Sequence, residues 1–364
     1  GLLDRGLEGL PSTADLEKRV AAGKGLTRPE LAVLLAYTKI AIKELVLQTE
    51  LPEDPYLADR LQEYFPAAVR QRYPAQMANH RLAREIITTV AVNRFVDSQG
   101  ATAYFRLHGE TGASISDIMR AQLAARSIYK VGRLEVLLSR MPELSAEAAT
   151  DLRMELSRLV ERAARWLLHN RRTPLDVKAA NAEFADGVIL VRQALRELLT
   201  PIQRKQADES YESWVSKGVP VELAEWMCVA RYAHFALGIV QTARRFEIDP
   251  VQVAAVYFRL AQRSALDKLD TQIYLLPRQE RWDSMARGAV RDEAHLAHAE
   301  LTAQLVAGAD PQLLGDSQAV LDSWLAANPQ AEVKAAVIAE ICDGETDLAR
   351  ATVGLGTLRG LLGV

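Results

Sequence analysis

Apolar residues return every three or four positions along nearly the whole chain, and almost nowhere do they alternate as a half-buried strand would. That period places side chains on stripes, and a stripe is stable only against another stripe, so the chain is constrained to helices packed on helices. The clearest case is 151–169. Leu152, Leu156, Leu159, Val160, Ala163 and Leu167 share one face, and Arg158, Glu161, Arg162 and Arg165 lie opposite as a solvated face. A second stripe, Leu223, Trp226, Met227, Ala230, Ala233, Leu237 and Val240, follows Pro220 and reads as one helix.

Punctuation agrees with the period. Thr27-Arg28-Pro29-Glu30 has an N-cap threonine, an early proline and a capping-box glutamate. The helix it opens, 30–48, is apolar on most sides and is expected to be deeply packed. Prolines 52, 55, 66 and 74 impose short helices and turns. Further helices are expected over 79–96, 114–141, 188–216 with a kink or break at Pro201, 250–263, 265–276, 278–307, 317–327, 331–342 and 345–361. Thr102–Leu107 is strand-like but has no partner, so a turn or irregular segment is expected. No constant repeat and no strand–helix alternation is present. The expected fold is therefore all-α, an irregular multi-helix bundle with at most a trace of strand near 102–107. Residues 1–50 are expected to form an entry region, and 51–364 a helical domain or two packed sub-bundles.

Charge narrows the function. Over 364 residues the net charge is −3, without the basic surplus that nucleic-acid binding requires. Arg162, Arg165, Arg171 and Arg172 are a local cluster interleaved with Glu161, read as solvated. Two cysteines, 228 and 342, cannot make a disulfide framework, so reduced thiols and a cytoplasmic location are expected. Cys228 reads as buried and inert. Residues 1–20 are charged and unlike a leader. The most apolar run, Leu31–Ile42, is too short for a membrane span and contains Lys39.

Catalytic signatures are absent from the sequence. No GxGxxG follows a strand, and no P-loop, HExxH or GxSxG occurs. Gly354–Gly360 has the wrong spacing for a dinucleotide turn and reads as a flexible terminus. His295 and His298 are three apart on a helix, a spacing that could serve a metal. They fall on its polar side and read as solvated. His234, beside Phe235, reads as a satisfied core histidine. Glu280, Asp283, Asp292 and Glu293 sit among Arg278, Arg281, Arg287 and Arg291, as intrahelical pairs would. The five tryptophans read as packing or interface anchors.

Several strings occur in order: GLLDRGLEGLP at 1–11, GLTRPELAVLLAYTKI at 25–40, LPEDPYL at 51–57, YFP at 64–66, HRLAREIITTVAVNRFVDSQGATAYFRLHGETGAS at 80–114 and RWDSMARGAVRDE at 281–293. In these the chain resembles the C-terminal helical region of the large bacterial NAD-dependent glutamate dehydrogenases. The resemblance implies a parent enzyme that converts L-glutamate, NAD and water to 2-oxoglutarate, ammonia and NADH. It implies a cytoplasmic homo-oligomer, a tetramer, whose catalytic lysine, catalytic aspartate and dinucleotide fold lie upstream. Residues 1–50 would end the catalytic region. The expected role is a structural and assembly domain that partners the upstream catalytic domain of the same chain. No catalytic, cofactor-binding or metal residue is expected here, no nucleic-acid or membrane partner, and NAD is expected only in the parent. Arg28, Glu30 and Lys39 are the candidate site residues, bracing the substrate cleft from behind or reaching its rim. Alternatively, Arg28 and Glu30 shape the helix start and Lys39 lies along a packed surface. A regulatory module binding a small molecule between helices, and an independent protein-interaction scaffold, are the competing functions.

Overall fold

A computed structural model describes residues 3–277 and 280–362, apart from the Arg281 side chain. Gly1 and Leu2 of the opening motif, and Arg278 of the charged stretch, lie outside the described residues. Among these every regular element is a helix, and there is no strand. Thr102–Leu107 is a correction: Ala103–Thr111 is helical, because Ala103 and Leu107, one turn apart, are both wholly buried. Glycines in left-handed or extended positive-φ conformations bound it, Gly100 at φ 88° and Gly112 at φ 68°.

The chain divides into two compact units. One runs to Ala125 and adds Ala164–Lys178; the other comprises Arg126–Ala163 and everything from Ala179. Each unit thus draws on two separate stretches of sequence.

The first unit is centred on the Ala83–Gln99 helix, which buries Ile86, Ile87, Ala91, Val92, Phe95 and Val96. Ile42, Leu51, Leu57, Leu107 and Ile118 complete this core, with Leu168 packed against it. Arg84 ties the start of that helix to the carbonyls of Leu47 (2.7 Å) and Thr49 (2.6 Å). Arg120 pairs with Asp54 at 2.9 Å. Arg165, expected to be solvated, is buried and pairs with Glu110 at 2.6 Å; a buried guanidinium is tolerable only with such a partner.

The Arg28–Leu47 helix departs furthest from expectation. Proline stands in its first turn and Glu30 reaches back to the Thr27 amide at 2.6 Å, as the capping-box reading requires. It is not deeply packed, however, and buries only Ile42 and Val46.

In the second unit, Pro250–Arg263, Leu266–Leu275, Arg281–Gly308 and the helices that follow enclose a core including Val256, Leu260, Leu269, Ile273, Leu301, Leu321, Ile338 and Leu358. Asp249 caps the Pro250–Arg263 helix through the amides of Val251 and Gln252. Pro201 starts a new helix, Pro201–Ser216, after Val177–Leu198 ends. The expected 114–141 helix is broken at Lys130, which has φ 53°. The stripe after Pro220 is divided among Val221–Cys228, Ala230–Ala233 and Ala236–Phe246, and its members are still buried except for the half-buried Trp226. The tail is also a correction. Leu348–Arg359 is a capped helix, and a Cβ on Gly354 would stand 3.1 Å from a Leu269 methyl. Glycine there permits close approach to the core.

No helix among the described residues is long and apolar enough to cross a membrane.

Candidate functional site

Five segments of the second unit bring titratable and aromatic side chains together. The Ala146–Asn170 helix supplies Arg162. Ala230–Ala233 and the residues after it supply Arg231, His234 and Phe235. Tyr257 comes from Pro250–Arg263, Asp270 and Tyr274 from Leu266–Leu275, and Arg291, His295 and His298 from Arg281–Gly308. On that last helix Arg291, His295, His298 and Thr302 recur at helical spacing. Their side was read as solvated, but His298 is 2% exposed and Thr302 1%. The correction has a physical basis: each of these two side chains finds a hydrogen-bond partner within the protein. Thr302 donates back to the His298 carbonyl at 2.9 Å. His298 Nε2 lies 3.0 Å from the Tyr257 carbonyl, and the two rings are 3.8 Å apart.

An imidazole bonded to a carbonyl donates its proton there, so the other ring nitrogen is bare in the neutral form. Burial pushes the His298 pKa down to about 3, with the neighbouring His295 charge adding to it. His234 contacts the Arg231 carbonyl through Nδ1 at 3.0 Å. Burial, then Arg162 and His295, holds it well below the usual histidine range; it is half-buried, so the core-histidine reading holds only in part. His295 differs: its Nε2 is 2.8 Å from Asp270 Oδ1, and Phe235 stands perpendicular to its ring at 4.9 Å. Burial opposes the Asp270 charge, yet the hydrogen bond and charge of His295, followed by the charge of Arg231, hold the carboxyl below its usual range.

Further cations line the cluster. Arg231 lies over the Tyr274 ring at 4.4 Å. Arg291 reaches its neighbour Asp292 at 2.7 Å. Arg162 donates to the Arg231 carbonyl at 3.1 Å instead of to a carboxylate, and burial lowers its pKa. Such a cluster presents guanidinium donors of the kind that recognise a carboxylate or phosphate. Among the described residues no group of three or more His, Cys, Asp or Glu stands together to take a metal ion.

Sequence reasoning found the two histidines but missed Asp270, Arg231 and Tyr257. Their partners lie 25 to 69 residues away in sequence, so no local motif marks them. The acidic cluster is likewise only partly intrahelical. Asp283 accepts from the Glu280 amide at the helix start, and Glu293 pairs with Arg359 from the last helix. Cys228 is buried, and burial pushes its thiol up. A separate cleft of about 640 Å³ lies among Thr200, Arg204, Asp208, Phe258, Arg259 and Gln262. Its Asp208 already pairs with Arg196 at 2.8 Å.

The three residues singled out from sequence lie in the first unit. Glu30 receives both Arg19 Nη1 contacts, at 2.9 and 3.0 Å, and the Thr27 amide. Those bonds, Arg19 first, lower its pKa to about 2. Lys39 pairs with Asp97 at 2.6 Å. Arg28 is exposed. Glu30 thus shapes the helix start, and Lys39 is tied to the Ala83–Gln99 helix.

Among the described residues the fold is helical throughout, with its polar and aromatic side chains gathered in clusters such as the one around Asp270. The family described as "Glutamate dehydrogenase, C-terminal" matches residues 23–360, and the chain belongs to it. It is similar to the NAD-specific glutamate dehydrogenase of Mycobacterium tuberculosis, 34% identical over 357 residues, 98% of this chain and 22% of that protein. It is also similar to the enzymes of the same name from Pseudomonas aeruginosa, 34% identical over 80% of this chain and 18% of that protein, and Halomonas elongata, 32% over 89% and 20%. The chain therefore spans about a fifth of the length of these curated relatives, and matches their C-terminal portion.

Proposed function

We propose that this polypeptide is the structural and assembly domain of an NAD-dependent glutamate dehydrogenase. The parent oxidises L-glutamate with NAD and water to 2-oxoglutarate, ammonia and NADH, in the cytoplasm, as a homo-oligomer, a tetramer. The observation that carries this reading is the match of 98% of this chain to only 22% of a relative named for that activity. Reaction and cofactor then belong to the upstream catalytic domain, and this domain buttresses it and contributes subunit contacts. Arg28, Glu30 and Lys39 act at the boundary with that domain, behind the substrate cleft.

The test is to purify residues 3–362, record circular dichroism, and assay NADH formation from L-glutamate and NAD beside the full-length chain. A helical spectrum with no turnover is expected, against turnover by the full chain. NADH formation by the segment overturns the reading.

The cluster around Asp270 favours a second role on the same domain, the binding of a small anionic regulator. Thermal-shift measurements with amino acids, dicarboxylates and nucleotides test it. A ligand at 100 times its Kd stabilises by about 2.7 kcal/mol, and absence of any shift removes the role.

A further inference from the structure

The Arg28–Leu47 helix is mostly apolar but lies on its core by one end only. Its buried residues, Ile42 and Val46, are in the last two turns. In the preceding turns Leu31 is 52% exposed and Ile40 44%, and Pro29, Ala32 and Ala36 are exposed as well. Pro29, Ala32, Ala36 and Ile40 follow one another at spacings of three or four, so they form one stripe along the helix. Leu35, Ile42 and Val46 face the core from the other side.

The residues ahead of this helix leave its outer stripe exposed. Thr13–Ala21 buries nothing, and Leu7 and Val20 are 86% and 71% exposed. Two polar clasps join them to the long helix, Arg19 to Glu30 at 2.9 Å and the Tyr37 hydroxyl to Glu8 at 2.5 Å. Residues 3–40 therefore form an arm clasped on one side, with Leu7, Val20, Leu31 and Ile40 exposed. A helix apolar around most of its circumference is the pattern of one enclosed on all sides, and a contiguous apolar patch marks a contact surface.

We infer that the outer stripe of this arm, Pro29, Ala32, Ala36 and Ile40 with Leu31 beside it, is the docking surface for the folded polypeptide that precedes this domain in the same chain. This rests on the assembly-domain reading above. The occupant is argued from length and tether. In the relatives roughly four fifths of the polypeptide lies outside the matched C-terminal portion. A partner on the same chain acts at an effective concentration in the millimolar range, which a free second copy rarely reaches. Chemistry agrees: the stripe offers no charge, so it fits an apolar groove on a folded neighbour. Arg28, exposed at its start and without an ion-pair partner among the described residues, would meet a carboxylate at the groove's rim.

Hydrogen–deuterium exchange on the full-length chain and on residues 3–362 tests this, because docking closes the local openings through which helix amides exchange. Amides of 28–40 are expected to exchange at least about tenfold slower in the full chain, with those of 250–263 unchanged. The double substitution Ala36→Asp and Ile40→Asp, at exposed positions, should leave the segment's helix content intact and restore fast exchange in the full chain. Equal rates for 28–40 in wild-type full chain and segment overturn the inference. So does slowing that appears in the segment alone and grows with its concentration, which would assign the stripe to a second copy. If the segment alone produces NADH, the assembly reading fails, while the exchange comparison still decides the docking surface.

Discussion

Two helices of this chain bury the opposite of what their compositions suggest. Arg28–Leu47 is the more apolar, yet it buries two residues. Arg281–Gly308 carries arginines, histidines and acids, yet it buries Val290, Ala294, Ala297, His298, Leu301, Thr302, Leu305 and Val306. Burial is thus decided by which neighbours the fold supplies, and composition fixes only whether burial is favourable. The polar helix is acceptable inside because its histidines and threonine find fixed acceptors. The apolar one stays largely outside because its outer stripe, from Pro29 to Ile40, is left exposed by the rest of its unit.

The largest expected effect lies on the buried side of this contrast. Leu301→Ala, at a wholly buried position, should cost about 2–5 kcal/mol in urea denaturation, whereas Ile40→Ala should stay within about 0.5 kcal/mol in the same segment. Similar costs for both would break the comparison. Next comes Asp270→Asn, which weakens the bond to His295 and removes the carboxylate charge that faces Arg231. A loss of about 1–3 kcal/mol is expected, and an unchanged unfolding midpoint would show that the pair contributes nothing.

The third effect depends on pH. His298 has a folded pKa of about 3 against an ordinary 6.5. Between those values the unfolded chain binds the proton and the folded one does not. Its contribution is therefore complete above pH 6.5 and is lost as pH falls toward 3, by up to about 1.4 kcal/mol per unit. His298→Gln keeps a donor for the Tyr257 carbonyl but cannot titrate, so its stability should fall less steeply over that window. Parallel slopes would assign the dependence elsewhere. The smallest effect is on the arm. Glu30 has a pKa of about 2 against 4.5, so its clasp is intact above pH 4.5 and loosens as pH drops toward 2. Glu30→Gln should speed amide exchange at 28–31 at neutral pH without moving the global unfolding transition.

Helix type was legible from periodicity, and boundaries were legible where capping chemistry is local. The Thr27–Glu30 capping box and the break at Pro201 are examples, each settled by residues three or fewer apart. Thr102–Leu107 misled because a short run of aromatic and apolar residues suits either period, and only the burial of Ala103 with Leu107 decides between them. Arg165 and His298 misled for another reason. Their partners, Glu110 and the Tyr257 carbonyl, lie 55 and 41 residues away in sequence, and a polar side chain's burial is unreadable until such a partner is known. The Asp270 cluster was invisible for the same reason, whereas Glu30 was legible because its bond to Thr27 spans three residues.

The interleaving of the two units has a consequence for synthesis. Leu168 packs on the core formed by residues 42–119, and Arg165 neutralises Glu110. A nascent chain that has left the ribosome only as far as Ala125 therefore carries an unfinished first unit. It must wait for roughly fifty more residues, most of them destined for the second unit, before its last helix arrives. Truncation between the two stretches would strand that surface, so the pair is inherited, and lost, together.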